Sequence, residues 1–325
     1  MKAVRVHDWC SPRELQIEDI ERPQPHAGEV LIKVSSAALN FPDLLLIAGK
    51  YQIKPDFPFT PGLEIAGEVE GLGAGVEGLS KGQRVMAQVG LGGFAEYAIA
   101  PRLAVQVLPD DMSEDEGAAF GLVYQTSYFG LAYRAQMQPK ETVLVHSAAG
   151  GVGLAALQIA RALGAGKIIA TAGSDEKLDL ITQQGADVAI NYETDDFVEV
   201  VKRETHGRGA DVIYDPVGGK IGERNVKCIA FEGRIVIVGF TSGAFSTYSS
   251  NHILIKNYSV VGLHWGAYRQ QKPERIDQAW TELFALYAGG KIKPIIAARF
   301  QMEKIASAME LLASRRAVGK VVLHW

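Results

Sequence analysis

The sequence predicts an α/β protein in two parts, a β-rich unit followed by a doubly wound parallel sheet. Three observations carry this expectation. The chain has 325 residues, enough for two domains that each bury a core. Its first third is made of short apolar or alternating runs split by Gly and Pro, the pattern of a β barrel or sandwich-like unit. From Thr142 onward, short apolar strands alternate with helical patterns, as in a parallel sheet with helices on both faces.

The elements follow in order. Strand runs lie at 30–34, 65–69, 84–89 and 97–100, with turn signals at 23–25 and 71–78. Ser113 followed by Glu116 reads as a capping box that opens a helix through Phe120. A second helix is expected over 124–134. Strands are expected at 142–146, 167–172, 188–191, 210–214, 234–238 and 258–262, with helices at 154–163 and 177–184 among them. After His264 the alternation stops. A helix over 273–287, a strand over 295–300, another helix and a closing strand over 320–324 remain. This tail is too short for its own domain and is expected to return to the β unit. The expected organisation is therefore 1–122, 123–264 and a return segment 265–325.

Composition narrows the function classes. Hydrophobic residues make up 47% and charged residues 22%, as in an ordinary globular protein rather than a disordered one. Lys and Arg number 33 against 37 Asp and Glu, a net charge of −4, which argues against a nucleic-acid partner. Charged residues interrupt the N-terminus at once, and no stretch offers about 20 apolar residues. A cytoplasmic protein without a membrane partner is expected. Two Cys make neither a disulfide framework nor a Cys₄ zinc site. Gly is in excess, 35 of 325, where roughly 7% is usual, so its positions are informative.

The segment from Val143 to Leu154 reads as an apolar strand, a small-residue turn (Ser147-Ala148-Ala149-Gly150-Gly151-Val152-Gly153) and an apolar helix. Such a turn lets backbone approach a pyrophosphate, and the helix N-terminus supplies free N–H groups and a favourable dipole. The strand before, the helix after and the further strand–helix units downstream are the context that this fingerprint requires. The next strand ends in Gly173-Ser174, where NAD enzymes carry a carboxylate for the ribose 2′-OH. Ser174 and Lys177 could instead hold a 2′-phosphate. Ser174 would equally suit a helix N-cap, and Asp175 and Glu176 soften the local field.

Taken together, Asn40-Phe41-Pro42-Asp43, Gly49-Lys50-Tyr51, 61–67 (PGLEIAG), the 148–153 turn, 173–177 (GSDEK), Gly185-Ala186-Asp187, Asn191-Tyr192, 215–219 (DPVGG) and 319–323 (GKVVL) resemble one family over essentially the whole chain. That family is the medium-chain dehydrogenase/reductases, and within it the zinc-independent, ζ-crystallin-like quinone oxidoreductases. The resemblance implies a GroES-like catalytic domain, a Rossmann domain, a cleft between them and a homodimer. It also implies that Ser174, Lys177 and Tyr192 hold the 2′-phosphate of NADPH. Thr126, Ala149 to Gly153, Gly173, Val217, Gly239, Phe240, Leu263, His264 and Lys320 complete the cofactor residues expected from it.

Zinc-dependent relatives carry Cys where this chain has Asn40 and His where it has Leu63. Leu63 cannot ligate a metal and Asn is a poor zinc ligand. The segment 88–109, where the relatives hold a structural zinc, has no Cys. His146, inside the first strand of the parallel sheet, is expected to be a core histidine. No metal is expected.

The expected chemistry is hydride transfer from NADPH to a quinone in the interdomain cleft. Asn40 is the candidate to orient the substrate or the nicotinamide ribose, because an amide both donates and accepts; it could also be a turn residue. Tyr51 is the candidate proton donor, or an amphipathic rim residue. Asp43 and Glu64 are expected to be structural, with paired charges. Two alternatives remain open: reduction of activated C=C bonds in enones or enoyl thioesters, and a structural or RNA-binding protein that holds NADPH with little turnover.

Overall fold

The computed structural model describes all residues, Met1–Trp325, as two compact units. The first comprises Met1–Leu122 and Pro294–Trp325, the second Val123–Lys293. Along the chain, the first unit opens with β1 (Lys2–Arg5), β2 (Gln16–Asp19), β3 (Glu29–Ala38), α1 (Phe41–Ile47), β4 (Glu64–Leu72), β5 (Arg84–Ala87), β6 (Tyr97–Pro101) and β7 (Val105–Val107). Helix α2 (Glu114–Tyr128) carries the chain onward. The second unit continues with β8 (Thr142–Val145), α3 (Gly151–Ala162), β9 (Lys167–Ala172), α4 (Glu176–Gln183), β10 (Val188–Asn191), α5 (Phe197–Glu204), β11 (Ala210–Asp215) and α6 (Gly219–Arg224). It ends with β12 (Ile229–Ile237), α7 (Ser250–Lys256), β13 (Ser259–Gly262), α8 (Tyr268–Gln271) and α9 (Pro273–Ala288). The first unit is completed by β14 (Ile296–Gln301), α10 (Ile305–Ala313) and β15 (Lys320–His324).

In the first unit, seven strands form one sheet in the order β14-β15-β3-β4-β5-β7, with β6 also paired to β3. Strand β3 alternates apolar and polar side chains only over 32–35, with continuous buried runs on either side, and buries Val30, Ile32 and Val34 in a core with Val4, Val6, Ile65, Val85 and Phe94. The returning segment inserts Val321, Leu323, Met302 and Met309 into that core. Each such side chain contributes roughly 1.5–3 kcal/mol on burial, so the return is integral to the unit.

The second unit holds six parallel strands in the order β10-β9-β8-β11-β12-β13. Strand β8, the first in sequence, lies between β9 and β11, so the connections from it lead to opposite sides. The crevice at the carboxyl ends of β8 and β11 is the switch point where such sheets bind ligands.

Two sequence expectations are corrected. The expected break between helices near 120–124 is absent, and α2 runs on into a π-helical turn, Phe129–Arg134. Ser113 opens it as a capping box, its N–H donating to Glu116 Oε2 at 3.0 Å and its Oγ accepting from the Glu116 N–H at 3.3 Å. Gly117 packs on Leu108 and Gly121 on Gln88; they fit a helix face too crowded for a side chain and do not end the helix. The return segment begins at Pro294 rather than at 265. Helix α9 buries Ile276, Trp280, Leu283 and Tyr287 within the second unit. Gln158 on α3 then clamps Lys293, accepting from its N–H at 2.8 Å and donating to its carbonyl at 3.0 Å. No helix is long and apolar enough to cross a membrane.

Candidate active site

The glycine turn lies between β8 and α3. Ser147 adopts a positive φ of 51°, and the Gly150 N–H donates to its carbonyl at 3.1 Å. Gly153 packs directly under the turn: a Cβ there would stand 2.4 Å from Ser147 O and 2.6 Å from Ala148 Cα. The first N–H groups of α3 have no intrahelical acceptor and carry the positive end of a 12-residue helix. A pyrophosphate fits that chemistry. Ser127, next to Thr126 on α2, donates to Val152 O at 2.9 Å, and its Oγ lies 3.0 Å from the Tyr214 hydroxyl.

Beyond β9, Gly173 faces the Tyr192 ring, and a Cβ at Gly173 would lie 2.4 Å from the Tyr192 hydroxyl oxygen. Asp175 is turned away to accept from Asn191 Nδ2 at 2.7 Å. The Lys177 N–H donates to Ser174 O at 3.1 Å. Residue 175, not Ser174, stands at the N-cap of α4, and no side chain caps that helix. Gly173, Ser174 and Tyr192 are thus brought together, with Lys177 in the first turn of α4. No carboxylate ends strand β9, which suits a 2′-phosphate.

After β11, Asp215 Oδ1 accepts from the N–H groups of Val217 and Gly218 at 2.8 and 2.9 Å. Gly218 abuts the Phe240 ring. The N–H groups of Thr241 and Ser242 donate to Pro216 O and Val217 O at 3.0 Å each. Val217, Gly239 and Phe240 therefore form one loop cluster. The Leu263 N–H donates to Ile237 O at 3.0 Å, which holds Leu263 and the exposed His264 at the carboxyl end of β13.

A buried network underlies this face. Asn225 Nδ2 donates to Asp215 Oδ2 at 3.1 Å, so Asn225 Oδ1 accepts from His146 Nε2 at 2.8 Å. His146 Nδ1 then accepts from the Thr171 hydroxyl at 3.1 Å. Burial lowers the His146 pKa against the pull of Asp215. His146 is the satisfied core histidine that its strand position suggests.

The first unit holds a second polar centre. Lys320 and Glu64 side chains are 5% and 2% exposed, so they are sealed among apolar strands. Lys320 Nζ donates to Leu39 O at 2.8 Å, Asn40 Oδ1 at 2.6 Å and Glu64 Oε1 at 2.9 Å. Asn40 Nδ2 donates to Glu64 Oε1 at 2.8 Å and Ala38 O at 3.3 Å. Glu64 Oε2 accepts from the Leu122 N–H at 2.8 Å. A buried cation and anion in mutual contact with their remaining valences filled is the arrangement in which burial of charge is tolerated. Asn40 precedes α1, and its own N–H donates to Asp43 Oδ2 at 2.8 Å.

Asp43 departs from the expectation of a paired charge. It is fully buried, and desolvation pushes its carboxyl up to about 7, against the opposing effects of the Asn40 N–H and the Lys320 charge. A raised folded pKa means that its stabilising contribution is complete in acid and is lost as pH rises through about 7. Asp43→Asn mimics the protonated form. The Tm of that variant minus that of the native chain is expected to grow as pH rises between about 4 and 7. A pH-independent difference in thermal melts would show Asp43 ionised throughout. Tyr51 is half-buried against the same core, and burial, then the Asp43 charge, raises its pKa.

Asn40, Tyr51 and Lys320 belong to the first unit, and the other expected cofactor residues belong to the second. Lys320 is a correction: its three ammonium donors are all engaged, so it has none for a cofactor. The sequence reading missed Glu64 and Lys320 as one cluster with Asn40, because 256 residues separate the pair. The available signal was a charged residue at the start of each of two apolar strands. No group of three or more His, Cys, Asp or Glu side chains converges as a metal site.

These features define a two-unit dehydrogenase/reductase with a dinucleotide-binding sheet. Residues 26–110 match the alcohol dehydrogenase GroES-like domain, and residues 151–285 the zinc-binding dehydrogenase family. The chain is 40% identical to quinone oxidoreductase-like protein 2 homolog of Nematostella vectensis, over 91% of this chain and 82% of that one. It is 34% identical to human quinone oxidoreductase, over 99% and 97%. The crystal structure of Escherichia coli quinone oxidoreductase complexed with NADPH superposes with a TM-score of 0.93 at 32% identity, covering all of both chains. The chain belongs to the quinone oxidoreductase family of the medium-chain dehydrogenase/reductase superfamily, and is an NAD(P)H-dependent oxidoreductase.

Proposed function

We propose that this chain reduces quinones with NADPH and without zinc. The observation that carries the cofactor choice is the end of β9, where no carboxylate closes the strand, Asp175 is tied to Asn191, Tyr192 packs on Gly173, and Ser174 and Lys177 follow at the start of α4. When bound, NADPH supplies a hydride, and a proton completes the hydroquinone. Residues Ala149 to Gly153 would hold the pyrophosphate, and the Val217, Gly239, Phe240, Leu263 and His264 loops would flank the nicotinamide. Leu63 has no donor atom, and the Asn40 amide is committed to Lys320 and Glu64, so the residues at the relatives' metal positions do not suit zinc.

Tyr51 favours a second reading, reduction of an activated C=C bond, because a half-buried phenol can protonate a developing enolate. Tyr51→Phe separates the two. On a quinone, kcat is expected to change less than about threefold, since the hydroquinone oxyanion takes its proton from solvent. On an enone it is expected to fall at least about 100-fold. An equal, large loss on quinones would make Tyr51 the proton donor for both.

The oligomer proposed is a homodimer. Strand β13 is an open sheet edge, and Phe231 on β12 and Leu254 and Ile255 on α7 are exposed. An unpaired edge beside apolar side chains is a template for a second copy. The Leu263 N–H faces β12, so by alternation along β13 the Val260 N–H faces the open edge. Val260→Pro removes that edge donor and is expected to give a monomer by light scattering. A variant that stays dimeric would place the interface elsewhere.

A further inference from the structure

We infer that Lys320 and Glu64 are positioning residues that lock the Asn40 carboxamide as a hydrogen-bond acceptor, so the ligand group that Asn40 meets is a donor, a hydroxyl or an amide N–H. The inference rests on the reading that Asn40 faces a ligand.

An asparagine amide has two N–H donors and two acceptor positions on its oxygen. Both donors are engaged, by Glu64 Oε1 and Ala38 O. One oxygen position is filled by Lys320 Nζ. Rotating the amide by half a turn would aim its NH₂ at the Lys320 ammonium and its oxygen at the Glu64 carboxylate, two donors facing each other and two acceptors facing each other. The charges of the pair therefore fix the orientation, and the second acceptor position of Oδ1, which faces the Asp43 N–H across the capping box of α1 while that N–H donates to the Asn40 carbonyl at 3.0 Å, is the one position a ligand donor can take. Lys320 has no donor to spare, and Glu64 Oε2 is occupied by the Leu122 N–H.

This corrects the expectation that Asn40 both donates and accepts. It cannot donate to an oxyanion developing on a quinone or an enone. It can receive a hydroxyl or amide N–H, so its role is orientation of a bound group. The proton for the reduced product comes from elsewhere, Tyr51 or solvent.

Asn40→Asp provides the test. The new carboxyl keeps an oxygen for Lys320 but sets a second oxygen against Glu64 Oε1. A proton shared between the two carboxyl groups replaces the lost N–H. The ratio of variant to native kcat/KM is therefore expected to lie within about fivefold of one in acid and to fall at least tenfold as pH rises; taking the ratio at each pH removes the dependence that Asp43, bonded to the Asn40 N–H and pushed up to about 7, gives both chains. A variant equally inactive at every pH would show that Asn40 must donate to the ligand, and would overturn the inference. Equal activity at every pH would do the same, because the lock would then be dispensable.

The double variant Lys320→Met/Glu64→Gln removes both charges together. Its Tm is expected to recover most of what Lys320→Met alone loses, while kcat/KM stays at least tenfold below native. Recovery of activity along with Tm would reduce the pair to a structural role. A third readout needs no turnover. The Asn40 side-chain amide protons, followed by NMR without substrate, are expected to exchange at least tenfold more slowly with solvent in the native chain than in the double variant. Equal exchange rates would overturn the lock even if the chain reduced no quinone, whereas slow exchange in an inactive native chain would fault the functional reading alone.

Discussion

Replacing Ser174 and Lys177 together with alanine is expected to weaken NADPH binding about 100-fold and to leave NADH binding within about threefold. A hydrogen bond to a charged group contributes about 1.5–3 kcal/mol, and each 1.4 kcal/mol is tenfold in affinity. Loss of a hydroxyl and an ammonium from a phosphate therefore sums to about 3 kcal/mol, less whatever solvent screening removes. The selectivity follows from the geometry. Asp175 is tied to Asn191 at 2.7 Å, so that carboxyl oxygen is not offered to a ribose diol. Fluorescence titrations of the native and variant chains with both cofactors measure the effect. Equal losses for NADPH and NADH would place the two side chains outside the phosphate site.

Gly153→Ala should instead weaken both affinities together. The added Cβ would meet Ser147 O at 2.4 Å and Ala148 Cα at 2.6 Å. These are backbone atoms, and Ser147 already occupies a positive φ, so neither can yield cheaply. Overpacking of this kind costs about 1–3 kcal/mol, and the turn that relaxes to relieve it is the one that approaches the pyrophosphate. Thermal melts should show a lower Tm, and titrations a loss of at least about tenfold for either cofactor. Unchanged binding with a lowered Tm would mean that the turn does not contact the nucleotide.

Much of the fold was legible in the sequence because its signals are local. The glycine turn needs only a strand, small residues and a helix in succession, and β10 and β15 lie over the expected residues, Val188–Asn191 and Lys320–His324. The α2 boundary was not legible. The sequence suggests two helices, one through Phe120 and one from 124, but in the fold Gly121 between them is the point where Gln88 comes close to a continuous helix. The start of the return segment was hidden for a related reason. The apolar periodicity of α9 says that one face is buried but not against what, and the clamp on Lys293 depends on Gln158, 135 residues away.

The site divides in the same way. The nucleotide residues cluster because short loops follow successive parallel strands, so sequence order predicts their neighbourhood. The Asn40 centre depends on β15 pairing with β3, which sets Lys320 against residues 256 and 280 positions earlier. Glu64 read alone suggests only a structural charge. The cluster, and with it the direction of the Asn40 amide, follows once both its partners are placed.

The most direct test is steady-state oxidation of NADPH by the native chain with a panel of quinones, enones and enoyl thioesters, repeated with NADH. Turnover with quinones, a clear preference for NADPH and rates that are unchanged by a zinc chelator are expected. Binding of NADPH without turnover on any acceptor, or turnover confined to C=C substrates, would contradict the proposed function.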